Sequence, residues 1–309
     1  MTTLREYAPT KYFTDEALDR VEVGFECEFA VPKQFDVNEI EGRLKAIKPG
    51  LIHHCYEDGP AEVGYRPVEA VTNWWSTSEA LENLHLILDG IRKLEAKTHQ
   101  NSSCHVNITH TSHEFNLNNF WDKERCQTLG MAFPAVGIHQ YLDRPSLHAW
   151  CPSITHQVAS KLYKTKKRGN FDSKAIDHIN STLHPWARNA VSFNSTYQHD
   201  ETTRIEFRVP GGEGYHTEKG EERIKAVVKT CAAYILGMIE QPKLMTFLAR
   251  QNIALANNLS NHPISSYEYI PKARYVEEDE WCDDMCGCGY DEGNCEYCSE
   301  CDYCGCECE

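Results

Sequence analysis

The sequence has no long apolar run. Its most hydrophobic stretch, Cys231 to Ile239, falls well short of the about 20 residues that a membrane-spanning helix needs. Residues 1–11 hold no apolar block of the signal-peptide kind. Both absences predict a cytosolic protein with no membrane partner. On that reading the Asn-x-Ser/Thr triplets at Asn101, Asn107, Asn180 and Asn194 are chance matches rather than glycan sites. Lys and Arg are missing after residue 274, where residues 275–309 carry 13 Asp and Glu. Of the net charge of −15, only about −2 is left for the first 274 residues. An acidic appendage repels phosphate backbones, so general affinity for nucleic acid is not expected. One basic run, Lys161 to Arg168, is local and reads as a solvated loop or as a substrate clamp.

Cysteine, by contrast, is abundant and unevenly placed. Cys27, Cys55, Cys104, Cys126, Cys151 and Cys231 are scattered through the body, as small buried thiols are, and the other nine crowd between Cys282 and Cys308. Without an export signal, a crowded set reads as a metal site rather than a disulfide framework. Cys295, Cys298, Cys301 and Cys304 recur at every third position, and four thiolates saturate one tetrahedral Zn2+, so nine offer room for two. An acidic, cysteine-rich tail (residues 276–309) is thereby set apart from a body of residues 1–275. Three readings of the tail stay open: a docking or metal-sensing segment, an acidic segment that binds metal incidentally, and a peptide substrate.

Alternation and helical periodicity divide the body. From Val23 to Phe29 the apolar side chains Phe25, Cys27 and Phe29 share one face and Glu26 and Glu28 the other. A helix is predicted over 37–47, with Asp36 as N-cap and Glu39 completing a capping box. Another starts near Ser78 and carries Leu81, Leu84, Leu88, Ile91 and Leu94 on one side. Short strands are predicted around Val68–Thr72, with Glu69, and over Cys104–Thr109, where His105, Asn107 and Thr109 share a face. Residues 117–190 read as a mostly helical insertion. Thr203 to Val209 alternates again, with Arg204, Glu206 and Arg208 opposite Ile205, Phe207 and Val209. Helices are predicted over 221–240, ended by Pro242, and over 244–256. The expected fold class is α+β, an antiparallel or mixed sheet covered by helices on one face.

Four strands therefore offer polar faces rich in Glu, Arg and His, where a merely solvated sheet more often carries Thr, Lys and Ser. Carboxylates suit divalent cations, and guanidiniums suit phosphate oxygens. Together they point to a Mg2+–nucleotide site.

The motifs occur in an order that resembles a family. Gly24-Phe25-Glu26-Cys27-Glu28, Asp58-Gly59, Glu69-Ala70-Val71-Thr72, His105-Val106-Asn107 and Arg204-Ile205-Glu206-Phe207-Arg208 resemble the carboxylate–amine ligase superfamily of glutamine synthetase type. The nearest likeness is to its small amidoligase branch of phage and bacterial genomes, over residues 1–260 or so. The resemblance implies a curved antiparallel sheet of the glutamine synthetase catalytic-domain type, whose concave face holds ATP and divalent ions (Mg2+ or Mn2+). By it Glu26, Glu28, Glu69 and Glu206 are metal ligands, and His105 and Asn107 lie by the metal or nucleotide. Arg208 and Arg204 act with Glu206 on the transferred phosphoryl group, and Arg188 and Asn194 resemble a polar pair at the nucleotide or substrate. The chain departs from the pattern at Asn107, where the family has a second His, and at Cys104, where it has Gly.

The implied activity joins a small-molecule or peptide carboxylate to an amine through an acyl phosphate made with ATP. Two other readings remain open: a phosphotransferase of guanidino-kinase type, and a zinc-binding interaction protein whose ligase body is degenerate. Glu57, Asp58 and Glu62 are candidates for the base that deprotonates the amine. Trp74-Trp75 reads as an adenine platform or as rim packing.

Overall fold

Strand β1 (Val21–Pro32) sets the architecture. Val21, Val23, Phe25, Cys27, Phe29 and Val31 are all buried on one side, while Glu22, Gly24, Glu26 and Glu28 take the other. Side chains alternate along a strand, so this sequence makes one sheet face hydrophobic and the other polar. The computed structural model describes residues 9–110, 121, 123–144, 151, 153–167, 190–192 and 204–261. These fall within one compact unit.

β1 pairs on one side with β3 (Tyr65–Thr72) and on the other with β5 (Cys104–His110). Beyond β3 lies the edge strand β2 (Ile52–Tyr56). Beyond β5 come β7 (Ile205–Phe207) and then β6 (Val191–Ser192), while β4 (Trp75–Ser76) pairs with the start of β1. Each of these pairings is antiparallel. The described chain is thus a mixed α+β fold around an open antiparallel sheet.

Helices cover the hydrophobic face. α1 (Asp15–Leu18) and α2 (Val37–Lys45) are short; α3 (Thr77–Lys93) and the later α7 (Glu218–Glu240) pack on each other and on β1. Leu84, Ile87, Leu88 and Ile91 of α3, with Ile224, Val227, Val228 and Ile235 of α7, join Phe25, Phe29, Val106 and Phe207 in one core. Each such burial stabilises the fold by about 1.5–3 kcal/mol. Between them in sequence come α4 (Lys123–Ala132), α5 (Ala135–Tyr141) and α6 (Ile154–Lys167), and α8 (Pro242–Leu259) packs on α4, α6 and α7. Phe133, at the α4–α5 link, ties this layer to the sheet, with its ring 4.8 Å from Phe207 and 5.5 Å from Tyr234.

Several local expectations need correction. The helix expected over 37–47 ends at Lys45, and Ile47 lies exposed past its end. Asp36 caps it as expected, accepting from the Glu39 N–H at 2.8 Å, but the Glu39 carboxylate turns forward to Arg43 instead of back to the cap. Pro242 opens α8 as well as closing α7, because the first helical turn needs no N–H from it. The basic run is not a loop: residues 161–167 end α6, and Lys166 Nζ donates to Asn257, Ser260 and Asn261 at the C-terminus of α8. Arg168 lies outside the described residues. No described helix is long and apolar enough to cross a membrane.

Candidate metal centre

Strand register brings the acidic and basic side chains together. Glu26 on β1 pairs with His105 on β5, and Asn107, two residues on and on the same face, pairs with Glu206 on β7. On the other side of β1, Glu28 pairs with Glu69, which in turn pairs with Tyr56 on β2. Directly paired residues project to the same side of a sheet. All these groups therefore stand on the face opposite the core.

The tightest cluster is Glu26, His105 and Glu206. His105 Nδ1 lies 3.1 Å from Glu26 Oε2 and 3.1 Å from Glu206 Oε1. One ligand atom from each of the three falls within 4.8 Å of the other two. Arg204 donates to Glu26 Oε1 at 3.2 Å, and Arg208 to Glu206 Oε1 at 2.6 Å. The cluster is nearly dry: His105 is 3% exposed and Glu206 9%.

Burial works against charge on Glu26, but the His105 hydrogen bond and the charges of His105, Arg204 and Arg208 outweigh it and hold this carboxyl down at about 2. Burial and Arg208 act against a charged His105, yet Glu206, Glu26 and Glu28 prevail and raise its pKa above the usual value. Among the described residues, buried His105 Nε2 and Asn107 Oδ1 have no hydrogen-bond partner, which is costly unless a bound group meets them.

Glu28 and Glu69 flank this cluster without completing it. Glu28 Oε2 accepts from the Ser103 N–H at 2.8 Å. Tyr56 donates to Glu69 Oε1 at 2.5 Å. Burial, with help from Glu26 and Glu28, pushes the Glu69 carboxyl up to about 7 against the lowering effect of that hydrogen bond. Burial and Glu69 likewise raise the Tyr56 phenol.

The turn after β7 holds Arg208 in place. Cys104 N–H donates to Pro210 O, Gly212 N–H donates to Ser102 O, and buried Arg144 donates to Val209 O at 2.6 Å. Gly211 has φ +131°, and a Cβ there would sit 2.5 Å from Ser102 O, so only glycine fits this close approach.

The structure thus gathers Glu26, His105, Asn107, Arg204, Glu206 and Arg208, with Glu28 and Glu69 alongside. Arg188, Asn194 and the tail residues Cys295, Cys298, Cys301 and Cys304 lie outside the described residues. Among the candidate bases, Glu57 pairs with Arg66, Glu62 lies 3.3 Å from Lys97, and the Asp58 side chain accepts from the Gly59 N–H. The Trp74 ring packs over Gly24, where an added Cβ would touch it at 3.4 Å. Tyr56 escaped the sequence reading, because Ile52-His53-His54-Cys55-Tyr56 shows no clean alternation; its register shifts between Ile52 and His54.

Two carboxylates and an imidazole suit a hard or borderline divalent ion such as Mg2+ or Mn2+. The orphaned polar atoms and the dry surroundings fit such an occupant. Fold and site together define a mixed α+β protein that carries a Glu–His–Glu cluster on the polar face of an antiparallel sheet. No protein-family model matches the chain, and no curated protein matches its sequence.

Proposed function

We propose that the chain is an ATP-dependent carboxylate–amine ligase requiring Mg2+ or Mn2+, of the amidoligase type its motifs resemble. The observation that carries this reading is the meeting of Glu26, His105 and Glu206 from three strands, with Arg204 and Arg208 already bonded to the two carboxylates. Glu26, His105 and Glu206 would hold the cation. The two guanidiniums would meet phosphate oxygens, for which their planar donor geometry is suited. Bound nucleotide would supply the phosphoryl group that turns a carboxylate into an acyl phosphate, open to attack by an amine. The chain's own contribution is positioning and charge: the sheet fixes the cluster from behind, and burial keeps water from weakening it.

Glu206→Gln is expected to abolish ATP-dependent amide formation, a loss on the order of several kcal/mol in transition-state stabilisation, while unfolding stays cooperative. Full activity in that variant would end the assignment. A substrate labelled with heavy oxygen in its carboxylate separates the ligase from a phosphotransferase. The label enters released phosphate only when an acyl phosphate forms.

A further inference from the structure

Past the carboxylates, the polar face leads to a cavity of about 370 Å3. Ala30 follows Glu26 and Glu28 at the strand period, pairs with Pro67 and forms a bridge with Lys97. Tyr65 shares that face with Glu69. Ala30, Tyr65 and Lys97 all line the cavity. The loop after β2 joins the two regions. A Cβ at Gly59 would lie 3.3 Å from Glu28 Cβ, and the next residues, Pro60, Ala61 and Glu62, wall the cavity.

The wall carries both signs of charge. Lys97 Nζ stands 4.2 Å over the Tyr65 ring and 3.3 Å from Glu62. Glu213, from the segment between β7 and α7, brings a further carboxylate to the wall. His216 is held by its Nδ1, 3.1 Å from Thr98 Oγ1. A simple anion would face Glu62 and Glu213, and a simple cation would face Lys97; a zwitterion satisfies both. The volume suits a molecule of amino-acid to short-peptide size.

We propose that this cavity binds a zwitterionic amino acid or dipeptide, its ammonium toward Glu62 and Glu213 and its carboxylate toward Lys97. Along β1 the step from Ala30 back to Glu26 is about 13 Å, at about 3.3 Å per residue. The cavity thus lies on the strand face that carries the Glu–His–Glu cluster. That the bound molecule is one of two reactants rests on the ligase reading; the binding itself does not.

Calorimetric titration of the metal-free full chain with Gly-Glu, its N-acetyl form and its C-terminal amide tests the assignment. Gly-Glu is expected to bind saturably, and each cap to weaken binding roughly tenfold or more, as loss of a charge-assisted contact does. Lys97→Met should erase the effect of the amide cap, and Glu62→Gln with Glu213→Gln the effect of the acetyl cap. Absence of saturable binding, equal affinity for free and capped peptides, or displacement of Gly-Glu by metal-free ATP overturns the proposal. Intact peptide binding without any amide formation would overturn the ligase reading alone.

Discussion

Glu28 and Glu69 stand directly opposite each other across β1 and β3, on the polar face. Like charges so placed repel. Burial adds to that repulsion, and the Glu69 carboxyl, held at about 7, takes up a proton far more readily than an exposed glutamate. With no cation bound, protons do part of the neutralising.

A pH dependence follows for the metal-free chain. Glu69 has its ordinary value of 4.5 when unfolded and about 7 when folded, so its contribution is complete below 4.5 and is lost as pH rises through about 7. The loss amounts to about 3 kcal/mol. His105, also raised, acts in the same direction. Glu26, lowered from 4.5 to about 2, acts oppositely, and its contribution disappears only as pH falls from 4.5 toward 2. Urea unfolding with chelator present should show stability declining as pH rises from 4.5 through about 7, and Glu69→Gln should flatten that decline. An equal slope in both proteins would contradict the account.

Cation affinity should separate the ligands from their neighbours. Glu26→Gln removes one of three converging donors and should weaken Mn2+ binding about 100-fold or more, beyond the loss typical of a supporting group. Glu28→Gln, whose carboxylate is engaged by Ser103 N–H, should cost less than about tenfold. Titration of both variants with Mn2+, followed by paramagnetic water relaxation, measures the difference. Equal losses would mean that Glu28 ligates too.

Tyr56→Phe removes the hydroxyl that donates to Glu69. The expected cost is about 1 kcal/mol, since Tyr56 is part-exposed. The Glu69 carboxyl should rise further, because this hydrogen bond is what opposes its elevation. In the unfolding profile the decline due to Glu69 should end at a higher pH.

Two glycines should respond in opposite ways. Gly211→Ala combines a positive φ with backbone contact and should destabilise by about 2–4 kcal/mol. Gly42→Ala, inside α2 with nothing within 4 Å of the added methyl, should stabilise by about 0.5–1 kcal/mol. Chemical denaturation of the two variants gives both values.

Much of this layout was legible in the sequence. β1 and β5 announce themselves because large apolar residues alternate with Glu, His and Asn over enough positions to mark two faces. α3 and α7 show long apolar stripes. What stayed hidden depends on tertiary register: nothing local says that Asn107 pairs with Glu206, nor that the His105 ring falls between two carboxylates. β6 (Val191–Ser192) is too short to show a period, whereas β7 lies inside the alternation read over Thr203 to Val209. β2 is an edge strand with exposed histidines and a register shift, so it hid Tyr56. The cavity has walls from β1, β3 and several connecting segments, and no single motif encodes it.

Because Glu26, His105 and Glu206 are far apart in sequence, a chain growing on the ribosome carries no assembled Glu–His–Glu cluster until β7 has emerged and zipped onto β5. Any metal capture would then wait until about two thirds of the chain has been made. An ion arriving at that moment would act as a latch, closing a loop that spans more than half of the polypeptide.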